Sequence, residues 1–433
     1  MAAPAVTLES KNAVNPASAR CDPARRRWLR ASLGLGVVAL AGVAGYARPR
    51  LLHPCASSLS PELAAHPLVA AAWRGLDPAQ VWDCHVHLAG IGDGGSGIRI
   101  STRMLSPWHP AEYVQRLFYM NAACVEEAPG RVDDSFVERL HALMSDLPGG
   151  CKLMLYAFEQ AHDAAGRPLP GASAFHVPDG WARRVAHSAP RSFEWVCSIH
   201  PYRPDAVDAL EAAAAAGARA VKWLPPAMGI DPADAACDRF YDALARLALP
   251  LITHAGEERA VRGVGRTDWG NPLRLRRALD RGVRVVLAHC ASLGEDLDLD
   301  RGSAARPLPS FELFARMMDE PRARDRLYGD ISAVVFRNRA PAVVARLIDR
   351  EDWHRRLLYG SDYPLPGVLP LTSPSSLAAA GLLDGEAVDV LDRLQLANPL
   401  LFDLVLKRSL RSQGRGLPRH VFETRRVFDR SAA

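Results

Sequence analysis

From residue 81 onward, short apolar runs recur along the chain, each followed by a polar loop and then by a stretch of helical periodicity. Eight runs read as strands: Val81–His87, Lys152–Ala157, Trp195–His200, Ala218–Leu224, Pro250–His254, Val283–His289, Leu327–Ser332 and Leu357–Gly360. Most are continuously apolar, which marks strands covered on both faces of a parallel sheet. Between and after them, Ala111–Glu126, Ser135–Ser145, Pro204–Ala216, Asp238–Leu247, Pro272–Arg281, Phe311–Met318, Pro341–Arg350, Glu386–Leu394 and Leu400–Lys407 read as amphipathic helices. Pro204–Ala216 has Pro near its start and Gly217 just past its end, the asymmetry that helices favour. Eight strand–helix units between residues 81 and 407 predict an α/β protein with a closed (β/α)8 TIM barrel. A doubly wound open sheet is the alternative. Gly90, Gly92, Gly94, Gly95 and Gly97 follow the first strand, but Pro107 and Pro110 interrupt the stretch before any helix, so it is a poor dinucleotide-binding fingerprint.

The flanks differ from this body. Residues 51–80 are Pro-rich and read as a linker with a short helix near Ala65–Trp73. Residues 408–433 read as a polar, Arg-rich tail lying on the surface. In residues 1–50, Arg25-Arg26-Arg27-Trp28-Leu29-Arg30 precedes seventeen uncharged residues, Ala31–Ala47. A basic cluster before an apolar run is the pattern of a secretory signal or membrane anchor. This one resembles a twin-arginine export signal, with Trp28 where Phe is usual and Ala24 where Ser or Thr is usual. The run is mildly hydrophobic and falls short of a bilayer span of about twenty residues. The expectation is an export signal cleaved near Ala44 or Ala47, or a retained anchor using residues 28–47. Either places the body outside the cytoplasm, in the periplasm.

Charge changes the picture little. The net charge of +5 comes from the first fifty residues, which hold eight Lys/Arg and two acidic residues. The remainder carries 45 basic and 46 acidic residues and offers no argument for nucleic-acid binding. Of eight cysteines, Cys84, Cys151, Cys197 and Cys290 fall in apolar runs and no CxxC pair occurs, so mostly free, buried thiols are expected.

The candidate chemistry sits where the strands stop. The first run, in "VWDCHVHLAG", ends with His85 and His87; the third ends with His200; the fourth carries Lys222 and Trp223. The fifth ends with His254, the sixth with His289, and Asp362 follows the eighth. In a barrel these C-terminal strand ends converge on one face. Residues two apart on a strand point the same way, so His85 and His87 can reach one cation, with Asp83 a step deeper on the same side. Imidazoles and carboxylates suit zinc, manganese or iron, and such an ion brings the pKa of a coordinated water toward neutrality. Lys222 is either an ion-pair partner or, once N-carboxylated, a bridge between two metals. His200, Trp223, Arg103 and Tyr202 are candidate substrate-binding residues, and Glu159, His162, Glu257 and Trp269 lie in loops expected on the same face.

Together these motifs resemble the amidohydrolase superfamily, in its amidohydrolase-related (amidohydrolase 2) branch. The resemblance rests on "DCHVHL", "THAG", "AHC", "YGSDYP" and "LANPLLFDL". It implies that His85, His87 and Asp362 hold the more buried metal. In two-metal members a carboxylated Lys222 would bridge to a second ion on His254 and His289. In one-metal members His254 would join the first set and His289 would face the reacting groups. The implied activity is hydrolysis of an amide, lactone or ester-type bond of a small molecule. Asp362 would shuttle the proton, and His289 would either bind metal or polarise the carbonyl. Metal-dependent decarboxylation of an unsaturated or aromatic acid is the second expectation, with Arg103 or Arg203 on the substrate carboxylate. A non-catalytic binding protein is the third. A homo-oligomer is also expected.

Overall fold

Side chains in the strands alternate between two buried environments, and that alternation builds the architecture. The computed structural model describes residues 51–55, 58–302 and 306–430. The expected signal or anchor lies outside the described residues. No helix of the described residues is long and apolar enough to cross a membrane.

The eight main strands are β1 (Trp82–His87), β2 (Lys152–Tyr156), β3 (Phe193–Val196), β4 (Val221–Trp223), β5 (Leu251–Thr253), β6 (Val285–Leu287), β7 (Leu327–Asp330) and β8 (Leu357–Leu358). They form parallel sheets in the orders β1-β2-β3 and β8-β7-β6-β5-β4. Parallel bridges Cys197↔Val221 and Val86↔Tyr363 join the two sheets at both seams and close the barrel. Two short antiparallel pairs, Arg99–Ile100 with Phe175–His176 and Glu295–Leu297 with Pro307–Pro309, lie outside it.

Trp82, Cys84, Met154, Tyr156, Val196, Ala220, Ile252, Val286 and Leu358 pack together as the barrel interior. Their strand neighbours Leu153, Leu155, Val221, Leu251, Val285 and Leu287 belong to the larger core beneath the helices. This is the period-two pattern of a sheet closed on itself. Around it run the helices, among them Pro110–Ala122, Val132–Ser145, Ala206–Ala215, Asp238–Arg246, Ser310–Asp319, Pro341–Asp349, Val388–Ala397 and Pro399–Ser409. The segment read as one helix from Pro272 is a 3-10 turn, Pro272–Leu275, followed by Arg276–Asp280. Helix Asp179–Ser188 had no sequence reading, although its buried Ala182, Val185 and Ala186 stand at i, i+3 and i+4.

Two expectations need correction. The stretch read as a linker is packed: Pro67–Trp73 is a helix against Pro399–Ser409, with Leu63, Val69 and Ala72 buried in the main core. The polar tail is not a surface run either. Val421, Phe422, Val427 and Phe428 are buried among its arginines, and Val427 and Phe428 join the barrel interior. The Thr424 hydroxyl donates to Trp82 O at the start of β1, so the tail seals the barrel floor. The expectation of free thiols holds for Cys84, Cys151, Cys197, Cys237 and Cys290, all buried, but Cys55 and Cys124 form a disulfide beside His53. Nor does the glycine cluster cradle a phosphate. The Asp133 carboxylate accepts from the backbone N–H groups of Ile91, Gly92 and Gly94, and Gly92 has φ +86°. A Cβ on Gly90 would strike the same carboxylate, so the glycines let the loop wrap a helix side chain.

Candidate metal centre and active site

The site begins with a bulge. Register between β1 and β2 shifts between Asp83 and Val86. Trp82 and Cys84 therefore face the interior while Val86 and Leu88 pack outward, and His85 and His87 are both left pointing into the barrel mouth. Asp83 is turned away from them, contrary to the simple alternation. Its Oδ1 accepts from Ser361 N at 2.8 Å and His85 N at 3.1 Å, so it braces the loop after β8. Burial lifts its carboxyl to about 7.

The other groups arrive from strand ends. His254 follows β5. His289 follows β6 and opens a run of three left-handed residues, with φ +56°, +52° and +48° at His289, Cys290 and Ala291. Such a run is costly for residues with a side chain and is held here from outside: Asp330 Oδ1, at the end of β7, accepts from His289 N at 3.0 Å. Asp362 also has positive φ, +66°, and its N–H donates to His85 O at 2.8 Å.

The rear nitrogen of each of three histidines is tied down. His85 Nδ1 faces Asp330 Oδ2 at 2.9 Å, His289 Nδ1 lies 2.7 Å from Ser332 Oγ, and His254 Nδ1 lies 3.4 Å from Glu258 Oε2. A proton held at Nδ1 leaves Nε2 bare. The Nε2 atoms of His85 and His289 face the Asp362 carboxylate, with the Lys222 amine beside that of His85. His85 Nε2 is 3.3 Å from His87 Nε2 and 3.3 Å from Asp362 Oδ1, and His87 Nε2 is 3.2 Å from that same oxygen. His289 Nε2 is 3.9 Å from Asp362 Oδ2, and Lys222 Nζ is 3.4 Å from His85 Nε2. His254 Nε2 is buried with no hydrogen-bond partner.

Lone pairs crowded onto a carboxylate repel unless a cation sits among them. Ligand atoms of His85, His289 and Asp362 all lie within 4.8 Å of one another, a group that could hold a metal ion. The donor set and the orphaned His254 nitrogen both fit a divalent cation. Burial, and next the charge of Lys222, lowers His85 to about 4; burial also lowers His254 and His289. Neutral imidazole is the form a metal needs. Burial likewise lowers Lys222, in the direction of the neutral amine that carboxylation requires.

A cavity opens above these groups. His85, His87, Lys222, His254, His289 and Asp362 form its floor, and Arg103 lies on its wall with Ile100, Met104, Tyr119, Phe158 and Phe175. Of the four expected substrate contacts, only Arg103 stands there. Trp223 neighbours inward-facing Lys222 on β4, so it points outward, stacks on Phe240 and donates to Ile199 O. His200 lies beyond the end of β3 and is fully buried, with Nε2 on Met228 O at 3.0 Å. The Tyr202 hydroxyl meets Asp231 instead. Glu159 is held by Arg203, the His162 ring packs on His200, Glu257 pairs with Arg259, and Trp269 lies under Arg266. Sequence reasoning missed Asp330, Ser332 and Glu258. Asp330 was findable, because it ends the seventh strand as the other site residues end theirs.

A (β/α)8 barrel with a histidine–carboxylate cluster at the C-terminal strand ends has the arrangement of a barrel enzyme. The chain belongs to the amidohydrolase family: that family's model matches residues 82–387. Solved structures similar to it include an uncharacterized TIM-barrel protein from Bordetella bronchiseptica, at 17% identity over 73% of this chain and 99% of that one, TM-score 0.42. Another is a probable 2-pyrone-4,6-dicarboxylic acid hydrolase from Acinetobacter baumannii, at 13% identity over 76% and 99%, TM-score 0.40. A third is 5-carboxyvanillate decarboxylase from Sphingomonas paucimobilis, at 14% identity over 80% and 98%, TM-score 0.40. No curated protein matches the sequence.

Proposed function

We propose that the protein is a metal-dependent hydrolase that cleaves an amide, lactone or ester-type bond of a small molecule. The observation that carries this reading is that His85 and His289 are pinned at Nδ1 while their Nε2 atoms, with that of His87, converge on Asp362. His85, His87 and Asp362 would hold one divalent ion, zinc for preference; His254 would join them if the site takes one metal, or, with His289 and a carboxylated Lys222, would hold a second. Bound there, such an ion supplies Lewis acidity and a nucleophile at neutral pH. The chain's own residues do the rest. Asp362 Oδ1 sits against His85 and His87, while Oδ2 faces His289. Oδ2 is thus the atom placed to take a proton from the attacking water and return it to the leaving group. His289 is fixed at Nδ1 by Ser332, with Nε2 facing Asp362 Oδ2. The walls exclude bulk water and strengthen each of these interactions.

Decarboxylation is less well supported, because the arginines expected to hold a substrate carboxylate are engaged. Arg103 pairs with Glu112, and Arg203 pairs with Glu159 and Asp205. Elemental analysis of the full chain after metal loading tests the reading. About one or two equivalents per chain are expected, falling to none in the His85→Ala/His87→Ala double variant. Asp362→Asn should lose about 100-fold or more in turnover of an ester or lactone panel. No bound metal, or full turnover in Asp362→Asn, refutes it.

A further inference from the structure

Charge is distributed unevenly around the cavity. Its floor is polar, but its walls are Ile100, Met104, Met120, Phe158, Phe175 and Val261, with Leu88, Leu224 and Leu365 completing them. The cations near it are occupied. Arg103 gives Nε and NH2 to Glu112, each at 2.7 Å. Arg116 gives Nε to the Met104 carbonyl at 3.2 Å and pairs with Glu127. Arg339 gives Nε to Ser292 Oγ and NH1 to Asn338 Oδ1. Arg262 also lines the cavity, but it is exposed. Two carboxylates, Glu112 and Glu258, stand in the same walls.

The roof is tied in a way that leaves few polar groups free. The Tyr119 hydroxyl donates to Ala260 O at 3.3 Å, and Gln115 Nε2 donates to Arg259 O at 2.9 Å, so helix Pro110–Ala122 is latched to the loop after His254. Glu258 accepts from the N–H groups of Ala260 and Val261.

A substrate carboxylate lodged against these walls, above Lys222 and the metal-binding floor, would lose its hydration and meet only arginines already hydrogen-bonded or, in Arg262, exposed to solvent. An apolar body would gain by leaving water against the same walls. Resting on the hydrolase reading above, we propose that the site selects an uncharged ester, lactone or amide. Its aromatic or alkyl body would lie against Phe158, Phe175 and the two methionines, and its only polar group would face the metal-binding floor. Dicarboxylates and aromatic acids would be rejected.

Calorimetric binding to the metal-loaded full chain tests this apart from turnover. The probes are a non-hydrolysable aryl alkyl ketone and the same ketone bearing a ring carboxylate. The neutral probe should bind at least 10-fold tighter, and Phe175→Arg, which places a cation in the wall, should narrow or reverse that ratio. Equal or tighter binding of the carboxylated probe overturns the inference, as does failure of both to bind. If the neutral probe is preferred but no neutral ester, lactone or amide is hydrolysed, the hydrolase reading falls while the apolar selectivity stands.

Discussion

Lys407 is fully buried on helix Pro399–Ser409, where its Nζ donates to Gly360 O at 2.8 Å and to Asp403 Oδ2 at 2.7 Å. Gly360 opens the turn that carries Asp362, so this ion pair supports the site from behind. Lys407→Met keeps the apolar stem and removes the ammonium. Burial raises the Asp403 carboxyl to about 6, against the opposing pull of Lys407. The folded value lies above the unfolded one of about 3.9, so the folded state holds the proton more tightly. Stability therefore falls as pH rises from about 4 to about 6 and then levels off. Without Lys407 the folded value moves higher still, and the fall continues above pH 6. Each further pH unit removes about 1.4 kcal/mol. Two units, plus about 1 kcal/mol for the bond lost at Gly360, give a deficit of about 4 kcal/mol at pH 8, within the range for breaking a buried pair. At pH 5 Asp403 is protonated in both folded proteins and the deficit shrinks to about 1 kcal/mol. Urea unfolding of both proteins at pH 5 and pH 8, followed by circular dichroism, measures the difference. A deficit that is the same at the two pH values, or absent at pH 8, refutes the reasoning. The Asp403→Leu/Lys407→Met double variant should recover much of the loss at pH 8.

Three further outcomes are expected. Asp330→Ala should weaken metal binding about 10- to 100-fold in chelator competition, because His85 and the His289 backbone both lose their anchor; unchanged affinity would separate Asp330 from the centre. Phe428→Ala should cost about 3–5 kcal/mol in urea unfolding by emptying the barrel floor, and a loss below about 1 kcal/mol would mean that the tail does not seal it. Asp179 accepts from Ser198 N at 2.8 Å, and burial raises its carboxyl to about 7. Its ionisation therefore favours the unfolded chain and subtracts up to about 1.4 kcal/mol per pH unit between about pH 4 and 7. Asp179→Asn should flatten the stability profile across that window, and an unchanged slope would contradict the assignment.

The barrel strands were legible because strands buried on both faces read as apolar runs bounded by loops. What the runs could not show was their length. β3 ends at Val196 and β8 at Leu358, so the residues after them follow loop geometry rather than strand alternation. His200 and Tyr202 were misplaced for that reason. The buried tail and linker were hidden by composition. Phe422 and Phe428 stand among arginines whose charged heads reach solvent, so an averaged reading sees only polarity.

Within the site, alternation was both the guide and the trap. Adjacent residues on one strand cannot both face the barrel mouth, so assigning Lys222 to the centre already excluded Trp223, and the structure turns Trp223 outward. The same rule placed Asp83 beside His85 and His87. The bulge that breaks it is a backbone feature with no residue signature, since nothing in Asp-Cys-His marks an extra residue. Yet that bulge turns His85 and His87 together toward the barrel mouth while Asp83 holds the Ser361 backbone on the far side of β1. One irregularity thus links the first strand to the last by two contacts on opposite faces. A substitution that straightened β1 would therefore be felt first at Asp362.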